Sequence, residues 1–257
     1  MTARRLVLSH GEMAALVEFA GVTLPPGLIP EDTAPKAERH WEPEQEQALA
    51  VNLAVLARPI AAVRIETAVP GRVLRGLFSV AGSLGASLFT LAGATVELSL
   101  FNAVDLGAEL LRAVPEPEGG DSVQSALNPE RPLRGTVDLA DLEWQPWMPP
   151  AGSGLADRAR AQTRGSVSAL ITGRRPDGGV LAGQVAWLLT GNRWTGLRPV
   201  PGAGGGGGAR YGGGAGSGGG AGKDDGVRQV RLEPVDRADF PTWVAPHLTA
   251  VLEAGDG

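Results

Sequence analysis

Apolar residues along this chain keep two rhythms, and the change from one to the other occurs twice in the same form. Val96 and Leu98 alternate with polar neighbours, Asp105 follows, and then Leu106, Leu110 and Val114 fall four apart. The succession returns 134 positions later without a gap, as Val230 and Leu232, then Asp239, then Phe240, Val244 and Leu248. A period of two belongs to a strand with one buried face and a spacing of four to a helix with one apolar stripe, so each stretch predicts a strand feeding a helix. Aspartate suits the junction because its carboxylate accepts an N–H that the first helical turn leaves unpaired. Chance matching of common apolar residues is the competing explanation. A real duplication predicts two related halves sharing one sheet system, which suits a scaffold better than a catalyst.

The remaining pattern fills in around these units. The first residues, Met1 to Arg5, lead directly into a helix opened by a capping box of Ser9 and Glu12, striped by Met13, Leu16, Val17 and Ala20, and closed by Gly21. Leu24 to Pro35 is a loop. A second helix is predicted over Pro43–Ala57, with proline at its start, Leu49, Leu53 and Leu56 inward, and Glu42, Glu44 and Glu46 at its positive end. Pro59 stops it. Alternating segments at Ala62–Ala68, Val73–Val80, Ala86–Leu91 and Thr95–Phe101, divided by glycine turns, predict an antiparallel meander. The helix Asp105–Val114 closes the first half.

In the second half, Pro115–Pro132 reads as linker, and Asp138–Gln145 and Leu155–Gln162 as short helices. Strands resume at Ser166–Thr172, Val180–Leu189, Trp194–Val200 and Val227–Glu233, ahead of a last helix in which Pro246 lacks the N–H for the carbonyl four residues back. Residues 202–222 hold 14 glycines among 21 positions. Such a run cannot bury enough apolar surface to offset its ordering entropy, and it is expected to be a disordered, expanded hairpin loop. The expected organisation is one domain over 1–257 with halves 1–115 and 116–257.

Composition narrows the function. The chain has 257 residues, is 43% hydrophobic and has a net charge of −5, so it can bury a full core and carries no electrostatic footprint for nucleic acid. It has no cysteine, hence no disulfide framework and no thiolate nucleophile. No uninterrupted apolar run reaches about 18 residues, the length that spans a membrane, and the N-terminus lacks the apolar stretch of a signal peptide; the cytoplasm is the expected compartment. His10, His40 and His247 are not at metal-ligand spacing. Gly202, Gly204 and Gly207 match the dinucleotide fingerprint only formally, because no helix opens after them. Gly82–Gly85 resembles part of a phosphate loop but has no Lys-Ser/Thr, no Gly-x-Ser-x-Gly elbow exists, and Asp224-Asp225 reads as solvated loop. No catalytic residue, cofactor or metal emerges, and the chain reads as a non-enzyme.

Trp187 falls within a strand pattern and is expected in the core. Trp144 and Trp147 lie between prolines on a loop, where either core or interface positions are open to them, since tryptophan is enriched in both.

The element order resembles the EspG family of type VII secretion-associated chaperones of actinobacteria. The residues that carry the likeness are Leu6-Val7-Leu8-Ser9, Ala57-Arg58-Pro59 before Val63-Arg64-Ile65, Gly165-Ser166-Val167-Ser168-Ala169, Gly173-Arg174-Arg175, Val185-Ala186-Trp187 and Leu232-Glu233-Pro234-Val235-Asp236. The resemblance implies an α/β (α+β) fold: an antiparallel sheet flanked by helical bundles in two pseudo-symmetric halves. It also implies a cytosolic, non-enzymatic chaperone, monomeric or weakly dimeric, that covers the apolar tip of a helical PE–PPE-like secretion substrate. Partner contacts are then expected at Leu84 on the first-half hairpin and at Trp144, Trp147 and Trp243 of the second half. Two features depart from the family: the glycine insertion, and the short loop at Ser83-Leu84. The alternative is a small-ligand-binding or enzymatic α/β protein enclosing an apolar cavity.

Overall fold

The computed structural model describes residues 4–36, 41–91, 93–117, 131–142, 153–200 and 229–255. Its elements are β1 (Arg4–Ser9), α1 (His10–Ala20), α2 (Pro43–Ala57), β2 (Ala61–Val69), β3 (Arg72–Ala81), β4 (Leu84–Thr90), β5 (Thr95–Asn102), α3 (Leu106–Leu111), β6 (Gly135–Asp138), α4 (Leu139–Leu142), α5 (Leu155–Gln162), β7 (Thr163–Arg174), β8 (Val180–Thr190), β9 (Arg193–Pro199), β10 (Gln229–Val235) and α6 (Phe240–Gly255). All ten strands form one antiparallel sheet in the order β1-β5-β4-β3-β2-β7-β8-β9-β10-β6. Read from either edge, the order is the same: a strand, two helices, a four-stranded meander and a helix, twice over, meeting at β2 and β7. Equivalent hairpins turn at Gly82-Ser83 and Gly191-Asn192, and in both the first loop residue is glycine at positive φ (60° and 59°), which a tight turn matched to the strand twist requires.

Helices α3 and α6 lie together on one face of the sheet, here the covered face. The alternation of β2 puts Val63 and Ile65 under them, with Phe78, Val167, Ile171, Trp187 and Trp194 from neighbouring strands and Leu110, Phe240 and Val244 from the helices. Trp187 is fully buried, with Phe240 and Trp243 edge-on at 5.0 and 5.7 Å between ring centroids. On the other face, the helices stand apart. α1 and α2 bury Leu8, Leu49, Leu53, Leu77, Leu88 and Leu98 over the first half, while α4 and α5 close a smaller cluster of Val137, Ala159, Val230 and Leu232 over the second.

The two halves are tied on the covered face. Arg237, on the short 3₁₀ turn before α6, donates to the carbonyls of Val114, just past α3, and, at 2.6 Å, of Leu111, the last residue of α3, and pairs with Glu116 at 3.1 Å. Trp194 donates its indole N–H to Pro115 O at 3.2 Å; within the first half, the Thr67 hydroxyl donates to Ala113 O at 2.6 Å and fixes the same stretch to β2. These bonds serve carbonyls at and just past the end of α3, where few helical N–H partners remain, though Leu111 O also accepts the Val114 N–H at 3.2 Å.

Four sequence expectations change. The chain does not enter α1 directly, because Arg4–Ser9 is a strand paired with β5. Residues 135–138 also form a strand, paired with β10. The helix expected over 105–114 is regular only over Leu106–Leu111. Asp105 and Asp239 do stand at matching helix starts, each ending a 3₁₀ turn, but Asp105 makes no capping bond. The cap in the second unit is reciprocal between Asp236 and Asp239, whose carboxylate accepts the Asp236 N–H at 3.0 Å. The glycine run 202–222 and Asp224-Asp225 lie outside the described residues.

Candidate functional site

Because α1–α2 and α4–α5 stand over opposite halves, the middle of their face is left as bare sheet. Its floor is a set of cross-strand rows fixed by the registers of β2, β7 and β8: Ala62–Thr172–Ala182, Arg64–Leu170–Gln184, Glu66–Ser168–Ala186 and Ala68–Ser166–Leu188. Three hollows follow one another along these rows. The first (≈ 420 Å³) lies by the end of α2, with Arg58, Pro59, Thr172, Arg174 and Val180; the second (≈ 370 Å³) lies over Arg64, Glu66, Ser168 and Leu170; the third (≈ 450 Å³) lies against Leu142, Arg160, Arg164 and Leu188. Six residue steps from Ala62 to Ala68 give the groove a length of about 20 Å at roughly 3.3 Å per step. Leu170 is its central apolar residue and is 43% exposed.

Loop 22–36 forms part of the wall on the first-half side, held by side chains rising from the floor. Arg64 donates to Pro26 O at 3.0 Å; Arg75 donates to Gly27 O at 3.4 Å and pairs with Glu66 at 2.9 Å. On the other side, Arg160 pairs with Asp157. Arg58, Arg164 and Arg174 are exposed and have no ion-pair partner among the described residues.

The residues singled out from sequence do not converge on this groove. Leu84 is the first residue of β4, not the loop tip; it is half-buried against the α1–α2 cluster and pairs with Ala81 and Asn102. The tip is Gly82-Ser83, beside Val104, which is 90% exposed. Trp243 is on the covered face, packed edge-on to Trp187, with the Arg198 guanidinium 4.2 Å from its ring centroid. Trp144 and Trp147 lie outside the described residues. The groove escaped sequence reading because its rows join segments about a hundred residues apart; the exposed Leu170 in an otherwise polar face of β7 is the one local signal.

A second charged assembly lies on the covered face near the β1 edge. Arg112 pairs with Glu97 and, at 2.8 Å, with Glu109; Arg5 reaches Glu109 at 3.3 Å and Glu97 at 3.8 Å. Burial works against the Arg112 charge, but hydrogen bonds to Glu109 and Glu97 and their Coulomb attraction outweigh it and hold its pKa above the ordinary value. With every carboxylate matched by a guanidinium, this is a structural network. A further hollow of ≈ 380 Å³ at the Gly191-Asn192 turn mixes Glu116, Arg193, Asp236, Arg237 and Asp239, and its Arg237 is committed to the α3 carbonyls. Among the described residues no three His, Asp or Glu gather as metal ligands, and no helix is long and apolar enough to cross a membrane.

No protein family matches the chain, and no curated protein matches its sequence. Its fold, however, is found in a solved structure: that of the Mycobacterium tuberculosis type VII secretion system chaperone EspG5 in complex with a PE25–PPE41 dimer. The TM-score is 0.56, the likeness covers 98% of this chain and 96% of that one, and the identity is 11%. The chain thus shares, over 98% of its length, the fold of that type VII secretion chaperone.

Proposed function

We propose that this protein is a cytoplasmic chaperone of type VII secretion, without catalytic activity, that holds a helical PE–PPE-like substrate by its apolar tip and keeps it soluble for export. The observation that carries this reading is the likeness of the fold, over 98% of this chain, to a chaperone whose structure is known bound to a PE25–PPE41 dimer. The groove supports it by shape: about 20 Å of open sheet, flanked on both sides, accommodates a helical segment of roughly 10 Å diameter laid along it. Its middle hollow mixes polar Arg64, Glu66, Ser168 and Gln184 with Leu170 as the central apolar anchor. The alternative of a small-ligand-binding or enzymatic protein needs an enclosed apolar cavity, and no feature of the described residues favours it.

The test is co-expression with PE–PPE-type pairs from the source genome, read by size exclusion with light scattering. A stable ternary complex is expected with at least one pair. Leu170→Asp is expected to abolish that complex and leave the melting temperature unchanged, since a charge at an interface centre is desolvated and unpaired whereas an exposed one is hydrated. Failure of every pair to bind overturns the function; a complex indifferent to Leu170→Asp moves the site elsewhere.

A further inference from the structure

We infer that the groove recognises an acidic helix, one with carboxylate side chains on both sides of a central apolar residue; this rests on the docking surface just proposed and adds its chemical selectivity. The chain as a whole is acidic, with 28 Asp and Glu against 23 Lys and Arg. The lining of the three hollows reverses that balance: Arg58, Arg64, Arg160, Arg164 and Arg174 against Glu66 alone. Glu66 is neutralised by Arg75, and Asp157 takes up part of the Arg160 charge, so the surplus cations are Arg58, Arg64, Arg164 and Arg174. They are also segregated along the groove. Arg58 and Arg174 stand in the hollow at one end and Arg160 and Arg164 in the hollow at the other, with Leu170 between them.

Along β7 the two ends are unequally far from Leu170: Arg174 is four residue steps away, about 13 Å, and Arg164 six steps, about 20 Å, at roughly 3.3 Å per step. A helix rises about 1.5 Å per residue, so one lying along the seam with an apolar side chain on Leu170 brings residues about nine positions to one side and about thirteen to the other opposite the arginines. Guanidinium groups in a concave surface bind carboxylates in forked pairs and speed the encounter with an acidic partner.

The probe is a stapled helical peptide of about 24 residues with leucine about nine residues from one end and paired glutamates near both ends, compared with versions carrying glutamine or lysine in place of glutamate. Binding to the full chain is read by fluorescence anisotropy. The glutamate peptide is expected to bind about tenfold more tightly than the glutamine peptide at low salt and the lysine peptide not at all. That preference should collapse at high salt, where screening acts within a few ångströms. The Arg58→Glu/Arg174→Glu variant, with Arg164→Glu as an independent second variant, is expected to reverse it, and Leu170→Asp to weaken all peptides alike. Equal binding of the glutamate and glutamine peptides, or a preference unmoved by both arginine variants, overturns the inference. The two ideas fail separately. A PE–PPE complex lost with Leu170→Asp but insensitive to salt and to the arginine variants keeps the docking function and removes the charge selectivity. Peptide selectivity without any PE–PPE complex does the opposite.

Discussion

Glu109→Ala offers the sharpest test of how the first half is held together. The Glu109 side chain is 7% exposed and accepts from Arg112 at 2.8 Å and Arg5 at 3.3 Å, while Glu97 is left as the second carboxylate of the cluster. Breaking a buried ion pair by removing one partner costs about 3–5 kcal/mol, because the survivor is left desolvated and unpaired. Here Arg112 keeps Glu97, and Arg5, at 47% exposed, turns to water, so the low end applies, about 3 kcal/mol. For a chain of this length that is a fall in melting temperature of roughly 6–12 °C. Arg5→Ala, by contrast, removes a solvated partner and should cost about 1 kcal/mol or less. Urea unfolding of the two single variants, and of Glu109→Ala paired with Arg112→Ala, separates the coupling from the individual losses; a coupling above about 1 kcal/mol is expected. A pKa raised on a cation gives stability that is present at all lower pH and lost only as pH climbs through the raised value. The Arg112 contribution therefore has no slope across the neutral range. A Glu109→Ala cost under about 1 kcal/mol would refute the assignment of this cluster as a buried structural network.

Three further outcomes follow from packing. Gly196→Ala puts a Cβ 2.4 Å from the Trp243 ring, so the indole must leave its place against Trp187; a loss of about 1–3 kcal/mol with a changed near-ultraviolet dichroism is expected, and an unaltered spectrum contradicts it. Arg237→Ala removes charged hydrogen bonds to Leu111 and Val114 and should cost about 2 kcal/mol, with faster amide exchange concentrated in α3. Leu84→Asp, with its side chain half-buried against the α1–α2 cluster, should lower the urea midpoint by the equivalent of about 2 kcal/mol; a midpoint equal to wild type would place Leu84 free of the core.

What could be read from sequence follows the range over which each feature is decided. The eight meander strands and α1, α2, α5 and α6 are written in periodicity within each segment, and the Val96–Asp105–Leu110 and Val230–Asp239–Val244 echo located the two equivalent helix starts. β1 and β6 were missed because Leu6-Val7-Leu8 and Thr136-Val137 are too short to show a period; pairing with β5 and β10, far along the chain, makes them strands. The placing of Leu84 in the loop is what changes: the turn glycine is Gly82, which moves the tip one residue back and turns Leu84 toward the α1–α2 cluster. The groove was invisible for the same reason as β1: Arg64, Leu170 and Gln184 become neighbours only through the β2–β7–β8 register.

The strand order also sets a timetable for synthesis. A ribosome delivers β1 first, yet its partner β5 emerges some ninety residues later, so the opening strand must wait as an unpaired, apolar segment. Once β5 arrives, residues 4–114 can close their five strands, but Val63, Ile65 and Phe78 still lack the covering that α6 and the second-half strands provide. Such a half-made sheet, with β2 as a free edge, is the kind of nascent species that pairs with the wrong strand. A protein proposed to shield the apolar ends of others therefore passes through a stage in which it needs shielding itself.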